Sequence, residues 1–244
     1  MAQVVFIHGA ADSGTVWGLQ IDYFSSQHQV LAVDLPGHGA RLDENAFDTV
    51  AANAEEVGRL LRQRRFDQPV LVGHSMGGAT AMALAVAHPD APRALVLVGS
   101  GARLRMRPEQ IEDARLLAGS APAGERIQRV IDLDRVVSTS AAADARAWLA
   151  QRFGEATAQA TYVDFLATHT FDLMDRLAEI TQPVLIVGGE DDLWTPPKFH
   201  HYLAEHLRGA RLVLFPGVGH YPFVEAAELF NHTLGEFLDN LPPV

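Results

Sequence analysis

The 244-residue chain has no cysteine, so disulfides, a thiol nucleophile and thiolate metal sites are all excluded. Lysine is nearly absent too. Lys198 is the only one, and arginine supplies the remaining positive charge. With 19 basic against 30 acidic side chains, the formal charge is −11 and the sequence pI near 5.4. Nucleic acid and anionic membrane surfaces both require clustered Lys or Arg, so neither is expected as a partner. No apolar run approaches the ~20 residues that a bilayer-spanning helix needs. The N-terminal segment Met1 to Ile7 lacks the basic and long apolar regions of a signal peptide, so a cytoplasmic protein is expected. No internal repeat and no low-complexity tract is present.

What is present is an ordinary globular composition, 48% apolar and 20% charged, in a chain long enough for one large α/β domain with an insertion. Strand-like apolar runs occur at Val4 to Ile7, Val30 to Val33, Val70 to Val72, Ala94 to Val98, Val184 to Val187 and Leu212 to Phe215. Helix-period segments separate them at about 15–26, 48–65, 77–88, 197–207 and 223–239. That alternation predicts a doubly wound, mainly parallel sheet covered on both faces. Each run ends in glycine, proline or polar residues, and ligands in such sheets bind outside the carboxyl ends of the strands. Between about 101 and 180 the alternation stops. The segment opens with Arg103, Arg105 and Arg107 and becomes Ala-rich and helical in period, with breaks at Pro108 and over Gly119 to Gly124. It reads as a lid of three or four helices inserted before the penultimate strand. The expected division is therefore a core of residues 1–100 and 181–244 and a lid of 101–180.

The densest chemistry lies in Gly73-His74-Ser75-Met76-Gly77, between the Val70 run and a small-residue helix. A serine pinned at such a strand-to-helix turn is held up at the sheet edge, and the flanking glycines leave room for the neighbouring backbone. Ser75 is therefore the candidate nucleophile. A serine hydroxyl needs a base, normally a histidine oriented by a carboxylate. His220 follows the last strand-like run, and Asp191 and Asp192 follow the one before it; spacing does not separate the two acids. Tetrahedral intermediates also need backbone N–H donors. Met76, at the helix N-terminus, and Ala10, in the loop after the first strand, are the candidates.

His8 and His74 are expected to fix loops, and Asp34 to tie its own turn. His201 and Glu205 share a helix face, but without a third ligand or general-base motif the His200 to His206 segment is read as a solvated helix, and no metal or cofactor is expected. Trp17, Trp148, Phe153, Phe165, Phe171 and Met174 are assigned to the core, those in the lid being candidates for an acyl pocket. His169 is a candidate polar contact there.

Taken together, His8-Gly9, Asp34-Leu35-Pro36-Gly37-His38-Gly39, Gly73 to Gly78, Gly189 with Asp192 and Pro196, and Gly219-His220 resemble the α/β-hydrolase fold superfamily, particularly its small capped esterases and lactonases. The resemblance covers both halves of the core and leaves the lid uncovered. It implies Ser75 as nucleophile, His220 as general base, Asp192 rather than Asp191 as the acid, and Ala10 and Met76 as oxyanion donors. The first strand begins at Val4 with no preceding hairpin, as in the plant methylesterase and hydroxynitrile lyase branch. Tyr221 stands where the lyases have a lysine, which argues against cyanohydrin cleavage. The expected activity is cofactor-independent hydrolysis of a small, largely apolar ester or lactone. The alternatives are a carbon–carbon bond hydrolase or lyase, for which Arg103, Arg105, Arg107 and Arg152 are the candidate anion-binding groups, and a small-molecule receptor with slow hydrolysis.

Overall fold

The computed structural model describes residues 1–120, 131–152 and 155–242. Phe153 and the Ala121 to Gly124 part of the expected loop lie outside them. Six strands form one sheet: β1 (Gln3–Ile7), β2 (Gln29–Val33), β3 (Val70–His74), β4 (Ala94–Val98), β5 (Val184–Gly189) and β6 (Arg211–Phe215). All neighbours are parallel, in the order β2-β1-β3-β4-β5-β6. β3 and β4 are buried throughout, as their unbroken Val/Leu runs require, whereas the edge strands β2 and β6 are only partly covered.

Successive side chains of a strand face opposite sides, and two apolar layers result. Val4, Phe6, Val70 and Val72 join Trp17, Phe223 and Phe230 on one face; Val5, Ile7 and Leu71 join Val57, Met82 and Leu203 on the other. The first layer is covered by α1 (Gly18–Phe24) with α9 (Pro222–Glu225) and α10 (Ala227–Asp239), and the second by α2 (Val50–Arg64), α3 (Met76–Ala87) and α8 (Pro197–His206). Trp17 stacks on Phe223 at 3.9 Å between ring centroids, so it is core, as expected. Two expected helices prove to be composite. The first is a 3-10 turn (Gly14–Trp17) followed by α1, and the last divides at Ala226, whose φ of −136° is not helical.

Between β4 and β5 lies the helical insertion: α4 (Pro108–Ala118), α5 (Leu133–Val136), α6 (Ala143–Arg152), α7 (Ala158–Thr170) and a 3-10 helix (Met174–Glu179). It meets the core through an isolated bridge at His38–Ala156, while a second, Arg103–Asp172, ties together the two ends of the insertion itself. Among the described residues no helix is long and apolar enough to cross a membrane. β1 is flanked by β2 and β3, so the order in which strands are added to the sheet reverses at β1, and the crevice at the carboxyl ends of β1 and β3 is the expected ligand site.

Candidate active site

Ser75 leaves β3 with φ 51° and ψ −116°. For a residue with a Cβ this conformation costs on the order of 1–3 kcal/mol. The turn is over-determined: Ser75 N–H donates to Val98 O at 2.8 Å, and Ser75 O accepts from Gly78 N at 3.0 Å, Ala79 N at 3.2 Å and Ser100 Oγ at 2.8 Å. The two flanking glycines are steric necessities. A Cβ on Gly73 would lie 2.2 Å from Gly77 O, and one on Gly77 would lie 2.3 Å from Ile7 O.

His220 Nδ1 lies 2.8 Å from Asp192 Oδ2, and both side chains are buried. Asp192 Oδ1 accepts from Trp194 N at 2.8 Å and Thr195 N at 2.9 Å, while Thr195 Oγ1 donates to Oδ2 at 2.7 Å. Burial alone would raise the Asp192 pKa, but the His220 charge and these hydrogen bonds more than offset it and hold the carboxyl well below its usual range. Asp191 points elsewhere, accepting from Ser138 Oγ at 2.8 Å. His220 sits over the end of β4, where a Cβ on Gly99 would meet His220 Nδ1 at 3.2 Å; the preceding Val98 carbonyl is the one bonded to Ser75 N–H. His74, buried under the pair, donates from Nε2 to His220 O at 3.0 Å. Serine, histidine and Asp192 therefore converge on one sheet edge.

The loop after β1 forms the opposite wall. Asp34 Oδ1 accepts from Gly14 N at 2.7 Å and its Oδ2 from Ala40 N at 2.9 Å, so Asp34 ties two loops rather than its own turn alone. Ala10 faces the cleft beside Ser75, and Met76 opens α3. Among the described residues neither Ala10 N–H nor Met76 N–H donates a backbone hydrogen bond, which leaves both donors available.

A cleft of about 680 Å³, its open mouth included, runs from Ser75 and Ala10 past Leu104, Met106, Trp194 and Phe199. Among the described residues its polar wall holds Arg105, Arg107 and Arg135 and no carboxylate. Arg105 is tethered to Leu104 O, His169 O and Phe171 O and pairs with Asp172, whereas Arg135 makes no ion pair among the described residues. Arg103 lines an adjoining groove, and Arg152 stacks on the Trp148 ring at 3.2 Å. The lid aromatics Trp148, Phe165 and Phe171 do not line the cleft; Met174 faces the adjoining groove, and His169 Nδ1 bonds Met106 O at 3.0 Å. His200 departs from the expected solvated helix. It is fully buried against Gly188, with neither ring nitrogen hydrogen-bonded, and burial pushes its pKa down to about 4. No metal-binding cluster occurs among the described residues.

Three structural partners were missed in the sequence. Thr195, three residues after Asp192, follows an Asx-type spacing that is readable in principle. Glu225 accepts from Gly219 N, Tyr221 N and Ser138 N, each at 2.9 Å, and so brackets His220. Asp164 is the one carboxylate of α7, between Tyr162-Val163 and Phe165-Leu166; a lone acid in an apolar stretch is its only signal.

The alpha/beta hydrolase family model matches residues 4–233. The chain belongs to the alpha/beta hydrolase family. This hydrolase is 32% identical over 236 residues to a pimeloyl-[acyl-carrier protein] methyl ester esterase of Nitrosomonas europaea, covering 93% of this chain and 92% of that one. Its fold is similar to a thermophilic esterase from Thermogutta terrifontis (TM-score 0.87, 24% identity, 99% of this chain and 90% of that). It also resembles the enol-lactonase from Burkholderia xenovorans LB400 (TM-score 0.86, 25% identity, 98% and 92%).

Proposed function

We propose that this hydrolase cleaves carboxylic esters or lactones of small substrates through an acyl-enzyme on Ser75. The observation that carries the reading is the buried His220–Asp192 pair at 2.8 Å, set beside a serine held in a strained turn. In this reading His220 Nε2 takes the Ser75 hydroxyl proton as Oγ adds to the carbonyl carbon. The oxyanion is received by Ala10 N–H and Met76 N–H, and collapse expels the alcohol, protonated by His220. Water, deprotonated by the same histidine, then attacks the acyl-enzyme and releases the acid. Asp192 holds the Nδ1–H tautomer and stabilises the imidazolium. No step needs a cofactor. Residues 1–100 and 181–244 carry this chemistry, and 101–180 form the lid that supplies much of the cleft.

Ester-cleaving and lactone-cleaving relatives both support the reaction class. The cationic lining supports a substrate that carries an acid group besides its ester, a departure from the largely apolar substrate expected from sequence. The same arginines favour, as a second reading, hydrolysis of a carbon–carbon bond in a keto acid. Steady-state hydrolysis of p-nitrophenyl esters from acetate to decanoate tests the first reading. Sustained release is expected, with kcat falling at least about 10⁴-fold in Ser75→Ala. A single burst, or turnover that survives in Ser75→Ala, would refute it.

A further inference from the structure

We propose that Asp164, carried by the lid helix α7, is a positioning residue of the oxyanion hole, fixing with His8 and His38 the two peptide planes on either side of Ala10. The inference rests on the reading of Ala10 N–H as an oxyanion donor.

The loop after β1 has no ladder of its own to orient its peptides, so other groups must. The Gly9–Ala10 plane is held by its carbonyl, which accepts from His8 Nδ1 at 2.8 Å and Asp12 N at 3.4 Å. Leu35 N–H donates to His8 Nε2 at 3.1 Å, which leaves the ring proton on Nδ1. That tautomer requires a neutral ring, and burial, reinforced by His38, pushes the His8 pKa down to about 4. Because a trans peptide points its N–H away from its carbonyl, anchoring Gly9 O directs Ala10 N–H to the other side, where Ala10 faces the cleft with Ser75.

The next plane is held from the lid. Ala11 N–H donates to Asp164 Oδ2 at 2.9 Å, and Ala11 has φ 62°, a left-handed conformation that a non-glycine residue keeps only when its surroundings enforce it. The same Oδ2 lies 2.9 Å from His38 Nε2, and His38 Nδ1 lies 2.9 Å from Pro36 O. A carbonyl and a carboxylate only accept, so His38 donates from both nitrogens and is an imidazolium paired with Asp164. Burial opposes that charge, but Asp164 outweighs it and raises the His38 pKa. Asp164 is 1% exposed and His38 fully buried. The start of α7 is docked at the same place: Gly39 N donates to Glu155 O at 2.7 Å, Thr157 N to Gly37 O at 3.1 Å, and the Ser13 and Thr15 hydroxyls to the Glu155 carboxylate. The lid thus grips the oxyanion loop instead of merely covering it.

The test compares wild type, Asp164→Ala, Asp164→Asn and Asp164→Glu. A misaimed oxyanion donor is expected to lower kcat of Asp164→Ala by roughly 10- to 100-fold, below the full loss of a donor, with KM within about twofold. Affinity for an alkyl trifluoromethyl ketone, which forms a tetrahedral adduct, should fall by the same factor while the product acid binds unchanged. Asparagine with its oxygen in the Oδ2 position still accepts from Ala11 N–H and from the Nε2–H of a neutral His38, so it should recover most of the rate. A purely structural role would lower Tm and leave kcat per folded molecule unchanged. If the alanine variant does not fold, glutamate keeps the charge for His38 but displaces the acceptor, and kcat and ketone affinity should still fall together. Unchanged kcat in folded Asp164→Ala or Asp164→Glu, or a loss confined to KM, overturns the proposal. Hydrogen exchange over residues 9–14 is read in parallel and needs no turnover. Faster exchange there, with the 76–80 segment unaffected, supports the proposal even where the ester reading fails with Ser75→Ala; unaltered exchange refutes it.

Discussion

Asp191 and Asp192 are chemically identical neighbours, and the backbone turn between them decides their fates. Asp192 is turned inward, receives two backbone N–H groups and the Thr195 hydroxyl, and meets His220; Asp191 faces outward to Ser138. An amide at 192 keeps the shape but presents the wrong hydrogen-bonding partner to Nδ1–H. Asp192→Asn is therefore expected to lower kcat by about 10⁴-fold, and Asp191→Asn by less than about threefold. Comparable losses in a parallel kinetic assay would reassign the acid. The choice was not available from spacing, because adjacent residues differ by a backbone rotation and not by distance along the chain. Ser75, by contrast, was legible. The Gly73 contact with Gly77 that forces the motif is local, made where β3 turns into α3, and the Gly77 contact with Ile7 on β1 only adds to it.

At the scale of elements, the strands were readable because β1, β3, β4 and β5 are buried on both faces, which demands continuous apolar runs. The lid was readable only as a helical interruption. Its working residues, Asp164 and the 136–140 segment, act on partners far away in sequence. Val136 O accepts from His220 N at 2.7 Å, and Glu225 ties Ser138 N to both residues flanking His220. The base loop is thus braced by α5 and α9 together. Glu225→Ala leaves three backbone donors without their acceptor and is expected to destabilise the fold by about 3 kcal/mol while lowering kcat more than it raises KM. Chemical denaturation and steady-state kinetics measure the two effects; an unaltered denaturation midpoint would show that the clamp is dispensable. The lid aromatics Trp148, Phe165 and Phe171, assigned by type to the core and as candidates for the pocket, lie off the cleft, since the placing of a large ring is decided by which face of the helix meets the core.

For the whole molecule, buried histidines set the response to acid. His8 and His200 fold as neutral rings with pKa values pushed down to about 4 from 6.5, so the unfolded chain binds protons that the native state refuses. Their contribution is complete above pH 6.5 and is lost as pH falls toward 4, by about 3 kcal/mol apiece at most. His38 has the opposite sign: its raised pKa stabilises fully below 6.5, and that contribution fades as pH climbs through the raised value. Stability is therefore expected to peak near neutrality. His200→Leu, which removes an unpartnered buried ring, should raise Tm at pH 5 and flatten the acid limb. Thermal unfolding from pH 4 to 9 checks this, and an acid limb as steep as that of wild type would rule out His200 as its source. The net charge of −11 gives no hint of the cationic cleft, because a sum over the chain discards position. The sequence by itself determined the parallel α/β sheet, the strained serine turn and the sheet edge where polar residues gather, since these follow from periodicity and from sterics within a few residues. Only the tertiary structure decided which arginines line the cleft and which lid carboxylate reaches Ala11. Those contacts join residues up to 153 positions apart, and chain neighbours carry no record of them.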